Sequence, residues 1–139
     1  IEAQAYGHLA RNWDITAAIA LMTGEIVEGT PQTEGRRPLG VPSVSGSVWS
    51  VYRFAGDWEA GGGAFWSSEK FLDDQNRGKL PEYYRFDATV AYVRPKYELR
   101  LNLFNVFDEQ YYYGGYQNSP SRVLPGQPRE MQLTLLYRL

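Results

Sequence analysis

"REMQLTLLYRL", residues 129–139, alternates with almost no error: Met131, Leu133, Leu135, Tyr137 and Leu139 share one parity, and Glu130, Gln132, Thr134 and Arg138 the other. A β-strand has a side-chain period of two, so the segment carries one apolar and one polar face. The apolar face needs a greasy neighbour, either a protein core or lipid. The rest of the chain decides between them.

Six further segments alternate in the same way. Ile1, Ala3, Ala5, Gly7 and Leu9 oppose Glu2, Gln4, Tyr6 and His8; after a tight break at 10–12, Trp13, Ile15, Ala17, Ile19 and Leu21 oppose Asp14, Thr16, Ala18 and Ala20. Val44, Gly46, Val48, Tyr52 and Phe54 oppose Ser43, Ser45, Ser47 and Arg53, with Trp49 and Val51 breaking the pattern. Trp58, Ala60, Gly62, Ala64 and Trp66 oppose Glu59, Gly61 and Gly63. Tyr84, Phe86, Ala88, Val90 and Tyr92 oppose Arg85, Asp87 and Thr89, and Tyr97, Leu99, Leu101 and Leu103 oppose Glu98, Arg100 and Asn102.

Composition alone would favour a water-soluble protein, since mean hydropathy is negative and 22% of residues are charged. No run of about 18 apolar residues exists to form a membrane helix. A membrane β-barrel, however, hides its apolar residues in alternation, and only the phase reveals it. The net charge of −2 gives no electrostatic case for nucleic acid, and the lack of cysteine excludes thiol chemistry. Eleven Tyr and four Trp in 139 residues are many for a soluble domain. The chain opens with Ile1 inside an alternating run, without an initiator Met or signal peptide, and reads as a fragment.

The connections run short, long, short, long, short, long, the arrangement of an outer-membrane barrel with short turns in the periplasm and long loops outside. Beside the short turns Trp13, Phe54, Trp58, Tyr92 and Tyr97 all lie on the apolar parity, as does Tyr137. Six aromatics on one face at one level are what an interfacial girdle requires, because an amphipathic ring is most stable where hydrocarbon meets headgroups. The opposite face is charged, so it must be wet. That predicts a wide lumen or a polar plug, and a plugged lumen belongs to barrels of about 22 strands. The expected fold is all-β, a transmembrane antiparallel β-barrel, of which these are the last seven strands. Earlier strands are expected, because an open edge in lipid leaves backbone groups unsatisfied.

The segments "GVPSVSGSVWSVYRF" (40–54), "LPEYYRFDATVAYV" (80–93), "YELRLNLFNVFDEQYY" (97–112) and "PGQPREMQLTLLYRL" (125–139) resemble the C-terminal barrel strands of TonB-dependent outer-membrane receptors. The run Leu103 to Asp108, followed by Tyr111-Tyr112 and then Pro125-Gly126-Gln127-Pro128-Arg129, carries the most specific part of the likeness. The chain departs from the family in ending on Leu139 rather than an aromatic, and the plug and the TonB box lie outside residues 1–139. The resemblance implies active uptake of a ferric siderophore across the bacterial outer membrane, by a monomeric receptor. The TonB protein would drive it through the missing N-terminal part, lipid and lipopolysaccharide would surround it, and the iron would be carried by the siderophore with no cofactor of the protein's own. Cobalamin, haem, another metal chelate or passive porin activity are the alternatives. A soluble ligand-binding barrel is a third class.

A ferric chelate is often anionic and bears apolar or aromatic edges, so its binder needs cations and rings. The long loops supply both. Tyr113, Tyr116, Arg122, Lys70 and Arg77 are the expected ligand contacts, whereas Tyr111 and Tyr112 are expected to pack against a neighbouring loop. Arg36 and Arg37 could serve the ligand or lipopolysaccharide phosphates, and Trp66 suits an outer girdle. His8, the single histidine, cannot make a zinc site or a catalytic triad alone, so no enzyme is expected; hydrogen bonding to the plug is its expected role. "DDQNRG" (73–78) reads as a solvated loop rather than a calcium loop, Glu98 and Arg100 as a lumen ion pair, and Gly61–Gly63 as close packing within a strand.

Overall fold

The computed structural model describes residues 1–54, 56–116 and 119–138, with the side chains of 119–121 excepted. Leu139, the last member of the apolar parity, lies outside the described residues. The strands are β1 (Glu2–Ala10), β2 (Trp13–Leu21), β3 (Val44–Phe54), β4 (Trp58–Ser67), β5 (Lys70–Phe71), β6 (Lys79–Leu80), β7 (Tyr83–Val93), β8 (Tyr97–Phe104), β9 (Tyr112–Tyr116), β10 (Ser119–Pro125) and β11 (Glu130–Tyr137). Seven of them form one antiparallel sheet in the order β1-β2-β3-β4-β7-β8-β11. These are the seven segments that alternate in the sequence. The short ribbons β5–β6 and β9–β10 lie inside the long loops and were not expected.

Register keeps the parities together across the sheet. One hydrogen-bonded row runs Trp13, Tyr52, Ala60, Val90, Leu101, Leu133, all apolar; the next runs His8, Asp14, Val51, Gly61, Thr89, Asn102, Gln132. On the apolar face Leu101, Leu133 and Leu135 stay 39%, 68% and 70% exposed, so no protein core receives them. On the polar face Asp87, Thr89 and Ala91 are buried. Curling a sheet crowds the side chains on its inner face, so the polar face is the inside of the curve.

The girdle forms two runs of touching rings joined by strand register. Trp13 meets Tyr52 edge-on at 6.1 Å, Tyr52 and Phe54 are 6.2 Å apart, Trp58 and Tyr92 5.0 Å, and Tyr92 and Tyr97 6.1 Å. Phe54 pairs with Trp58 and Tyr97 with Tyr137. This belt steps two residues along β3 and again between Tyr92 and Tyr97, so it runs obliquely to the hydrogen-bonded rows, as a level line must on tilted barrel strands. Ser50 lies beside it on the apolar face, and its hydroxyl accepts from Trp13 Nε1 at 2.6 Å and donates to the Asp14 carbonyl at 3.2 Å. A polar group beside hydrocarbon is thereby satisfied within the wall.

Glycines explain the break in the β3 pattern. Gly63, opposite Trp49, has no room for a Cβ, because the Val48 carbonyl and the Trp49 ring both lie against it. Gly46, opposite Trp66, is covered by the Trp66 ring on the other face. Each indole roofs a cross-strand glycine and restores the packing that glycine lacks. The glycines of β4 therefore serve close packing, as the sequence suggests.

Candidate functional site

The polar face is organised into two zones. Near the short turns a ladder of charges crosses the sheet: His8 to Asp14 at 2.5 Å, Asp14 to Arg53 at 2.7 Å, Arg53 to Glu59 at 3.0 Å, Glu59 to Arg100 at 3.3 Å, Arg100 to Glu98 at 2.8 Å, and Glu98 to Arg138 at 3.7 Å. The steps stay on one strand or pass to the adjoining one, except that from Glu59 to Arg100, which reaches across Ala91 of β7, so alternating charges satisfy one another. The Glu98–Arg100 pair stands as expected. His8 finds its partner inside the wall.

At the other end the loops fold in over the polar face. Tyr111 is buried and stacks on Tyr83 with ring centroids 4.4 Å apart, and its hydroxyl accepts from Arg85 Nη1 at 3.4 Å and from the Gln127 amide at 3.3 Å. Arg85 in turn donates to Asp87 Oδ2 at 2.9 Å and lies 4.6 Å from the centre of the Phe65 ring. Lys70 donates from Nζ to the Tyr113 carbonyl at 2.9 Å and stands 5.7 Å over Tyr83. Tyr111 thus packs as expected, while Tyr112 stays exposed.

The Leu103–Asp108 run that carries the family likeness is a structural seam. Asn105 is fully buried with φ at 49°, a conformation asparagine tolerates better than most residues. Its backbone N–H donates to Asp87 Oδ1, its Nδ2 donates to the carbonyls of Glu109 and Gln127, and its Oδ1 accepts from the Glu109 amide, all at 2.9 Å. Asp108 Oδ1 accepts from the Arg129 amide at 2.9 Å, and the Tyr111 ring leaves no space for a Cβ at Gly126. The two separated pieces of the motif are therefore the two lips of one loop, 105–129.

A second seam joins the loops to one another. Asn76 accepts from the Arg37 amide at 3.0 Å and donates back to the Arg37 carbonyl at 2.7 Å; the Leu39 amide donates to Asp74 Oδ1 at 3.1 Å, and the Gly40 amide to the Phe71 carbonyl at 2.8 Å. The Arg37 guanidinium donates to Ser43 at 2.6 Å and faces Phe71. The described residues of segments 22–43, 68–82 and 105–129 thus form one cap. Asp73, expected in a solvated loop, is buried, because its carboxylate accepts from the amides of Gln75, Arg77 and Gly78 at 2.9, 3.4 and 3.1 Å. Burial opposes its charge, but those amides and the nearby Arg77 outweigh it and hold the carboxyl below its usual range. Burial pushes the Lys70 ammonium down.

The expected ligand contacts separate into two groups. Tyr113 and Tyr116 on β9 and Arg122 on β10 are exposed together on one ribbon. Arg77 is exposed at the 68–82 turn, 3.5 Å from Asp73, whereas Lys70 is buried as the brace between that segment and the ribbon. Sequence reasoning set Asp74 and Asn76 in a solvated loop, Asn105 in the family motif and Arg85 on the polar face, and assigned a bonding role to none of them. Only the unusual density of Asn and Asp in the loops hinted at the first three, since such side chains bond backbone in turns. Among the described residues no group of three His, Cys, Asp or Glu could hold a metal ion.

A curled sheet with one lipid-facing side, a ring belt, a charged inner face and an outer loop cap is the wall of an outer-membrane β-barrel. Residues 1–106 match the family model described as "TonB dependent receptor-like, beta-barrel", and the chain belongs to that family of the bacterial outer membrane. It is 33% identical over 142 residues to the metal-pseudopaline receptor CntO of Pseudomonas aeruginosa, covering 96% of this chain and 20% of the relative. It is 28% identical over 143 residues to the probable TonB-dependent receptor BfrD of Bordetella pertussis, covering 94% of this chain and 19% of that protein. The crystal structure of the siderophore receptor PiuA from Acinetobacter baumannii superposes with a TM-score of 0.86 at 24% identity, over 96% of this chain and 20% of that one, a likeness of fold. The chain spans about a fifth of the length of these relatives.

Proposed function

We propose that this chain is the C-terminal barrel wall of a receptor that takes up a ferric siderophore, driven by TonB acting on a plug outside these residues. The observation that carries the reading is the β9–β10 ribbon, which presents Tyr113, Tyr116 and Arg122 at the outer mouth while Lys70 and Tyr111 tie it to the wall. Rings for stacking and a guanidinium for charge suit an anionic chelate with aromatic or apolar edges. The iron is held by the siderophore, the receptor works as a monomer in lipid and lipopolysaccharide, and no catalysis is needed. Arg77 extends the cationic rim.

The test uses the full-length receptor in outer membranes. Tyr116→Ala combined with Arg122→Ala weakens ferric-siderophore binding about ten-fold, roughly 1.4 kcal/mol, with the amount of folded barrel unchanged. Unaltered affinity removes these residues from the site. Collapse of the proton-motive force stops uptake; continued flux would return the protein to the passive porins. A second reading, uptake of another metal chelate, is favoured by the 33% identity to a receptor named for metal-pseudopaline. Competition between ferric and zinc chelates separates the two.

A further inference from the structure

The lipid face of β4 reads Trp58, Ala60, Gly62, Ala64, Trp66, large only at its ends. Its neighbours in the lipid-facing rows are small where β4 is smallest, with Ser50 on one side of Gly62 and Ala88 on the other. A recess of about 610 Å³ results, lined by Trp13, Ser50, Tyr52, Ala60, Gly61 and Gly62. It is roughly 10 Å wide, the span of three strands, and runs about 13 Å along β4 from Trp58 to Gly62. On strands tilted as in a barrel, that depth keeps it in the periplasmic half of the hydrocarbon, next to the ring belt.

The rings beside the recess are held in place. An interfacial Trp gains by turning its N–H toward water and headgroups. Trp13 instead donates from Nε1 to Ser50, deeper in the sheet than its register partner Tyr52. The indole therefore stands as one wall of the recess, braced edge-on by Tyr52, and Tyr52 stacks in turn on Phe54. Beyond β4, Trp58 and Tyr92 hold each other at 5.0 Å. The two runs of the belt part between Phe54 and Trp58, and in the row of Trp13 and Tyr52 the next strand contributes only Ala60.

The rim next to this gap is cationic. The three short turns carry Arg11, Arg94 and Lys96 against the single carboxylate of Asp57. Arg94 lies 5.3 Å over the Tyr92 ring, donates from Nε to the Tyr92 hydroxyl at 2.9 Å and meets Asp57 Oδ2 at 3.0 Å. That pose keeps the guanidinium on the lipid side of the turn, at the level of the headgroups. The Tyr92 hydroxyl accepts from Arg94 and so keeps its own proton to donate.

We propose that recess and rim together hold one anionic phospholipid of the periplasmic leaflet, with an acyl chain against Ala60 and Gly62 and its phosphate on Arg94, Lys96 and the Tyr92 hydroxyl. Continuity with the lipid face sets the class of occupant, and the level beside the short turns sets the leaflet. The excess of cations over carboxylate selects a negative headgroup. A chain seated between the rings gains the dispersion contacts that the small residues of β3 and β4 leave open. The site is independent of what the receptor transports.

The test uses the full-length receptor in phosphatidylcholine nanodiscs containing a small fraction of phosphatidylglycerol with a diazirine midway along one acyl chain. After illumination, adducts on residues 50–62 exceed those on residues 97–104 at least five-fold, although Leu99 and Leu101 of β8 are also exposed on the lipid face. Ala60→Leu with Gly62→Leu fills the recess and brings that ratio to about one, with the assembled barrel confirmed by its heat-modifiable mobility. Arg94→Gln with Lys96→Gln lowers the yield from the phosphatidylglycerol probe at least three-fold and leaves that from the matching phosphatidylcholine probe unchanged. Even labelling of the lipid face in the wild type overturns the site, as does a ratio that survives filling. Equal labelling of 50–62 by the phosphatidylglycerol, phosphatidylcholine and phosphatidylethanolamine probes overturns the headgroup assignment. In intact cells, Val48→p-benzoylphenylalanine at the edge of the recess gives no protein adduct; a cross-link to a second copy or to another protein would hand the recess to that partner and overturn the lipid.

Discussion

The inner and outer ends of this sheet are ordered by different means. At the inner end the turns are short, covering 11–12, 55–57 and 94–96, and rings and charges meet partners on their own strand or within two strands of it. At the outer end the ordering bonds join Asn76 to Arg37, Asp74 to Leu39 and Lys70 to Tyr113, pairs 39, 35 and 43 residues apart in the chain. Redundancy follows from the first design and dependence on single polar residues from the second. A belt with several rings survives the loss of one, whereas a loop pinned by one asparagine does not.

The largest effect is expected where neither design applies, on the lipid face between the two ends. Leu101→Arg destabilises the full receptor by about 2–4 kcal/mol in denaturant titrations in lipid vesicles, while Thr134→Arg on the wet face changes stability by less than about 1 kcal/mol. Equal costs would mean that the two faces are not separated by lipid and water.

Asn105→Ala comes next. It strands the carbonyls of Glu109 and Gln127 and the Glu109 amide beside a buried turn, at a cost of about 2–3 kcal/mol, read as faster hydrogen exchange throughout 105–129. Exchange confined to one or two amides would show that the seam is redundant. Asn76→Ala is milder, about 1–2 kcal/mol, and raises exchange at 36–40 without disturbing the ring belt.

The smallest effect is a pH dependence confined to the cap. Asp73 is held below its usual 3.8, so the stabilisation it gives the 68–82 turn is complete above that value and is lost only as pH falls through the lowered one. Exchange at Gln75, Arg77 and Gly78 therefore stays constant from neutral pH down to about 4 after correction for the intrinsic rate, and rises below it. Asp73→Asn loosens the turn at every pH. A transition above 4 would contradict the amide cradle.

The same contrast explains what the sequence disclosed. All seven long strands were legible because alternation is a local pattern repeated over eight to eleven residues, and the belt was legible because parity and closeness to a turn can both be counted. Tyr52 was the belt member left out, since it sits one pleat from the turn and joins only because the strands tilt. The ribbons β5–β6 and β9–β10 escaped because a two-residue strand has no period and Gly114-Gly115 lacks side chains to alternate. Lys70 shows the limit for the site: its type was read correctly as a cation in an outer loop, but its engagement with a backbone carbonyl 43 residues away leaves no trace in local sequence.

The ladder across the inner end carries a consequence for anything that travels past it. Arg53, Arg100 and Arg138 alternate with Asp14, Glu59 and Glu98, so three positive groups offset three negative ones. Such a surface wets as readily as any ionic one, yet its field cancels within a few ångströms of the wall. A multivalent ion crossing that stretch meets neither a trap nor a barrier.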